Sequence, residues 1–147
     1  MNISSKAAAF VLLPFLFLTL VGCSSASPTA APATEAGPEA IARTEFTDRL
    51  ENFFEYEPLR AGKASQVRIH LTDLSDGSPV EQAQVSLIVR PKGASEAVTQ
   101  TTARVGKVTG IYVADLNIPR TGEYDIEFQI KNAELDERLS LTGFKVE

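Results

Sequence analysis

The chain has 147 residues, a formal net charge of −5 and 44% hydrophobic residues, enough apolar material for one domain of ordinary size. Its acidic balance opposes nucleic-acid binding, because phosphate repulsion works against the counterion release that drives such contacts. A single cysteine and a single histidine exclude a disulfide framework. They also leave a metal at most one imidazole and one thiolate beside carboxylates, where zinc usually takes three or four ligands.

Residues 7–21 carry no charge and are mostly Ala, Leu, Phe and Val. A membrane-spanning helix needs roughly 20 apolar residues, and this run is shorter and interrupted by Pro14, which removes a backbone donor. One lysine before the run and small residues at its exit predict a secretory signal peptide over residues 1–22, which is removed. The exit reads Leu20-Val21-Gly22-Cys23 and resembles the lipobox of bacterial lipoproteins. That resemblance implies that Cys23 is diacylated on sulfur, becomes the first residue after cleavage and is then N-acylated. Several acyl chains give durable attachment where one holds only marginally. Ser24 in place of Asp after the cysteine points, by the enterobacterial sorting rule, to the outer membrane facing the periplasm.

Residues 24–43 read SSASPTAAPATEAGPEAIAR, with almost nothing to bury, and predict a disordered linker. Its prolines favour extended backbone near 3.1 Å per residue, a reach of roughly 60 Å.

Residues 44–147 make one domain, and the pattern there is period two with turn signals at short intervals, which predicts short antiparallel strands. The first is expected over residues 51–56. Val67, Ile69 and Leu71 alternate with Arg68, His70 and Thr72, and Val85, Leu87 and Val89 form a second row. Residues 95–103 are polar and Thr-rich, as an edge strand would be, and residues 108–116 alternate less cleanly. Tyr124, Ile126, Phe128 and Ile130 share one face, with Asp125, Glu127, Gln129 and Lys131 on the other. In the last strand Leu139 and Leu141 lie on one parity and Phe144 and Val146 on the other; a bulge at Gly143 would return all four to the core. Asp76-Gly77-Ser78-Pro79, Pro91-Lys92-Gly93 and Pro119-Arg120-Thr121-Gly122 supply turns. The expected fold is all-β, an immunoglobulin-like antiparallel sandwich of about seven strands, with Tyr124 placed for a tyrosine corner.

No GxSxG, HExxH, phosphate loop or Gly-rich dinucleotide turn is present, and the serines have no base in sight, so a non-enzymatic role is expected. His70, with Asp73 nearby, is the candidate for a weak divalent metal site; no other cofactor is expected. Copper(I) would want soft sulfur, which the processed chain lacks. Glu45, Asp48, Glu51, Glu55 and Glu57 crowd the first strand region, where a solvated face is the simplest reading.

Residues 46–80, FTDRLENFFEYEPLRAGKASQVRIHLTDLSDGSPV, resemble the N-terminal immunoglobulin-like domain of periplasmic adaptor (membrane fusion) subunits of heavy-metal efflux pumps of the resistance-nodulation-division class. The resemblance lies in Phe46-Thr47-Asp48, in Phe53 to Leu59 followed by Ala61-Gly62, in His70-Leu71-Thr72 with Leu74, and in Asp76 with Pro79-Val80. It continues loosely to Arg120-Thr121-Gly122-Glu123-Tyr124. It implies a lipid-anchored periplasmic module accessory to metal efflux or homeostasis, docking onto an adaptor or presenting a cation near His70. The barrel and helical hairpin that follow this domain in the family have no counterpart before Glu147. The alternatives are therefore an envelope lipoprotein that binds another protein without metal, or a truncated adaptor relic; the partner-binding residues stay unassigned.

Overall fold

The computed structural model describes residues 39–147; Cys23, the signal peptide and residues 24–38 of the linker lie outside the described residues. Nine strands and no helix make up the described part. In chain order they are β1 (Ile41–Phe46), β2 (Leu50–Tyr56), β3 (Ala64–Asp73), β4 (Gln84–Pro91), β5 (Thr99–Thr102), β6 (Arg104–Val105), β7 (Ile111–Asn117), β8 (Gly122–Lys131) and β9 (Asp136–Val146). All ladders between them are antiparallel. One sheet has the order β1-β2-β3-β7-β6 and the other β5-β4-β8-β9, so the described part is a β-sandwich.

The period-two rows put their apolar members between the sheets. Val67, Ile69 and Leu71 from β3 are buried, as are Val85, Leu87 and Val89 from β4 and Tyr124, Ile126, Phe128 and Ile130 from β8. Alternation of this kind buries one face of each strand and wets the other. On β4 the outer side is covered as well: Ser86 and Ile88 are buried, and Arg90 reaches Glu127 at 3.0 Å in the neighbouring row. Aromatic rings join the two sheets. Phe54 meets Phe128 at 4.8 Å between centroids, and Phe144 at 6.3 Å, with Tyr56 5.6 Å from Phe144.

The parity switch in the last strand is a bulge. Tyr124 pairs with Phe144 and Ile126 with Leu141, so Asp125 alone opposes Thr142 and Gly143. Leu139, Leu141, Phe144 and Val146 all end up buried. Gly143 has φ +83°, a conformation costly for residues with a Cβ. The tyrosine corner also forms, the Tyr124 hydroxyl donating to the Arg120 carbonyl at 2.9 Å.

The folded part begins earlier than composition suggests. Ile41, Ala42 and Arg43, placed by composition in the linker, form the first half of β1, and the strand expected first, 51–56, is the second. The physical reason lies in Arg43, which pairs in register with Phe54 and therefore faces inward. Its guanidinium lies 4.8 Å from the Phe144 centroid and 5.8 Å from that of Phe54, and it donates to the Thr142 carbonyl at 3.1 Å and to Glu45 at 2.7 Å. A charged side chain thus caps the open seam between the sheets, a role that hydrophobic periodicity does not reveal. Burial pushes the Tyr56 hydroxyl pKa up in this seam, against the opposing pull of Arg43.

At one end the last residues close the sandwich. Glu147 accepts from Ala61 N–H at 2.8 Å and donates its own N–H to Leu59 at 3.0 Å. Phe128→Ala should cost about 3–5 kcal/mol through lost burial and the cavity left behind, and Gly143→Ala about 1–2 kcal/mol through its left-handed backbone alone. Thermal and denaturant melts check both; an unchanged Phe128→Ala midpoint would contradict the central place of that ring.

Candidate functional site at the loop end

His70 and Asp73, the residues expected to hold a cation, are not brought together. They lie three positions apart on β3, so their side chains leave opposite faces of the sheet. His70 lies on the outer face, its ring edge-on to Phe53 at 5.2 Å, with Nε2 3.9 Å from the Glu55 carboxylate. Asp73 shares the inner parity of Leu71 and is buried at the strand's end. Among the described residues no three His, Cys, Asp or Glu side chains gather as metal ligands do. Alternation along the strand thus places the two residues expected to share a cation on different faces.

Asp73 instead organises a turn. Its Oδ1 accepts the Ser75 N–H at 2.8 Å, its carbonyl accepts Gly77 N–H at 2.8 Å, and its own N–H donates to Ser78 at 2.8 Å. Asp76 accepts the Ser78 N–H at 2.9 Å, and Gly77 takes φ +75°. These are the side-chain to backbone bonds by which Asp sets tight turns. Hydrogen bonds from Ser75, with a smaller contribution from Arg49, hold the Asp73 carboxyl below its usual range against the effect of burial.

The chain after this turn is held by long-range contacts that no local pattern announces. The buried Tyr112 hydroxyl donates to the Val80 carbonyl at 2.9 Å and accepts the Ala83 N–H at 3.0 Å, fixing the last residues of the connection before β4. Between them Gln82 is exposed at φ +51°, sparsely populated for a residue with a Cβ. Pro79 packs so closely on Gly110 that a Cβ there would stand 2.5 Å from the proline ring. Asn132 donates to the Glu81 carbonyl at 3.0 Å and accepts the N–H groups of Glu134 and Leu135. Arg49, from the β1–β2 turn, donates to the Glu134 carbonyl at 3.0 Å and approaches Asp73 at 3.4 Å.

Four connections are therefore tied together at one end of the sandwich. Two open cavities flank Gln82. One, of about 380 Å³, runs past Asp73, Pro79, Glu81, Asn132 and Glu134. The other, of about 220 Å³, runs past Val105, Lys107, Val108 and Tyr112. Val105 and Val108 are 65% and 61% exposed beside it, and Leu74 is exposed on the first turn. The end thus combines apolar tips, fixed backbone and the carboxylates of Asp73, Asp76, Glu81 and Glu134 against Arg49 and Lys107. Such a surface can bind by contact. Sequence reading did not find it; the usable signals were the Asp-Gly-Ser-Pro turn and the valines on either side of Gly106-Lys107.

Tyr112→Phe should cost about 1–3 kcal/mol, because it strands a buried carbonyl and N–H; melts measure the loss, and hydrogen exchange at Ala83 should rise. Asp73 titrates lower folded than unfolded, so the stability it lends is complete above about pH 4 and is lost as pH falls through the folded value. Between about pH 5 and 3 the melting midpoint of Asp73→Asn should therefore fall less than that of the parent. Comparison with family models, curated proteins and solved structures gives no match for this chain, so the reading of this end rests on its geometry.

Proposed function

We propose that this chain is a non-enzymatic, lipid-anchored binding module of the bacterial envelope, an immunoglobulin-like sandwich that holds its loop end out to another protein. The strand order supports the immunoglobulin-like assignment. β2-β3-β7-β6 against β5-β4-β8-β9 follows the arrangement in which strands A, B, E and D face C, F and G, with β1 added at an edge. The tyrosine corner between Tyr124 and Arg120 agrees with it.

The observation that carries the functional reading is where the chain enters. Ile41 pairs with Tyr56, and Ala64 with Asn117, at one end of the sandwich. Leu50 pairs with Asp73 and Gln84 with Lys131 at the other, where the fixed loops lie. Whatever precedes residue 41 is therefore joined to the end away from the loops. With Cys23 acylated and residues 24–40 as a tether, the loop end is free to meet a partner across the periplasm.

The likeness to efflux-adaptor domains supplies a partner class, an adaptor subunit of a heavy-metal pump. The separation of His70 and Asp73 favours protein contact over cation presentation. Crosslinking pull-down of the full chain from membranes tests the reading, with Val108→Glu at the loop end and Cys23→Ser at the anchor. Val108→Glu should reduce capture of the partner while leaving the chain membrane-bound, and Cys23→Ser should release it to the soluble fraction. Capture of an adaptor would favour efflux, and capture of another envelope protein the structural alternative. Unmodified Cys23 on an intact N-terminus, or capture indifferent to Val108→Glu, would overturn the proposal.

A further inference from the structure

Edges of a sheet invite pairing with other chains, and natural sheets guard them with short strands, bulges, prolines or charged residues, inward-pointing ones included. Among the four outer strands here the guards are uneven. β5 and β6 are four and two residues long, and β9 is broken by its bulge. β1 has six residues, Ile41-Ala42-Arg43-Thr44-Glu45-Phe46, regularly paired to β2 on one side; it has no proline, lysine or glycine, and its guards are the inward charges of Arg43 and Glu45, which oppose pairing in some registers and not in others. Among the described residues no strand lies on its other side. Ile41 and Phe46 at its two ends are 42% and 62% exposed.

The order of side chains on β1 selects an occupant for that edge. Ile41, Arg43 and Glu45 face inward, in register with Tyr56, Phe54 and Asn52, and Ala42, Thr44 and Phe46 face outward. Two copies of one strand related by a two-fold axis through the sheet run antiparallel, and opposed residues share a face. The axis must then pass through a residue. Through Arg43 it would set two guanidinium groups against each other, and through Glu45 two carboxylates; like charges directly opposed are destabilising. Through Thr44 it sets each Arg43 opposite the Glu45 of the other copy and each Ala42 opposite the other Phe46. Charge and shape are then complementary in one register and repulsive in its two neighbours.

We propose that β1 pairs with β1 of a second copy about Thr44, joining the two five-stranded sheets into one. Arg43 and Glu45 already contact each other at 2.7 Å within a strand, so pairing extends an existing ion pair into a neutral ring of four charges. Each copy keeps its Arg43 contact to the Thr142 carbonyl. One strand pair buries less than the about 1,000 Å² of a stable complex, so the association is weak and concentration-dependent. It does not depend on the anchor, although attachment to a membrane would raise the local concentration.

The test uses the full chain, the parent in membranes and the Cys23→Ser background in the soluble fraction. Thr44→Cys should give a reducible dimer on mild oxidation, and Ser95→Cys, exposed in the β4–β5 connection, should not. Glu45→Arg should abolish the Thr44→Cys dimer and the double change Arg43→Glu with Glu45→Arg should restore it. Melts show whether each variant folds, and the Thr44→Cys result stands without the charge variants. No dimer from Thr44→Cys in either background, or one that Glu45→Arg leaves intact in a folded protein, overturns the proposal. A dimer of the parent chain through Cys23 would instead count against acylation, and the Cys23→Ser background still reports on β1.

Discussion

The two sheets are held in one relative position by the contact of Phe54 with Phe128 and Phe144, and most other features follow from keeping those rings covered. Phe128 reaches the cluster because β8 alternates without interruption. Phe144 reaches it only because β9 gains a residue at Gly143, which turns the second half of the strand back toward the core. The third ring, Phe54, comes from β2 near the seam, and Arg43 on β1 closes that seam with its guanidinium. A glycine in one strand and an arginine in another thus serve the same cluster from opposite sheets.

The loop end is built on another principle. Val80, Ala83 and Leu135 sink into the core, and between them single polar groups hold the connections, each satisfying backbone atoms of a different one. Tyr112, Asn132, Arg49 and Asp73 among them tie down residues 73–83 and 132–135. Backbone groups removed from water need such partners, and supplying them from neighbouring strands leaves the loop tips free to expose apolar side chains. The result is a rigid rim whose outward residues can change without disturbing the core.

Much of the fold was legible in the sequence because most strands, β4 excepted, are wet on one side only, so burial is written as alternation. The rows around Ile69, Leu87 and Phe128, the turn at Gly77, the bulge at Gly143 and the corner at Tyr124 all depend on residues close in sequence. β1 was hidden because its inward positions carry Arg43 and Glu45, whose burial is caused by partners on β9 and on β1 itself. The loop end was hidden because Tyr112 acts on residues about thirty positions away. The separation of His70 from Asp73 was legible and passed over: the parity that places Phe128 inside also puts an odd and an even residue of one strand on different sides.

The position of Ile41 has a mechanical consequence. A load entering there and leaving through the loop end runs along the strand axes, across the six residue pairs that join β1 to β2. Pulled in that direction, the ladder is sheared, with its hydrogen bonds strained together; it is not unzipped one at a time. A small sandwich can in this way withstand tension applied between Ile41 and its far end.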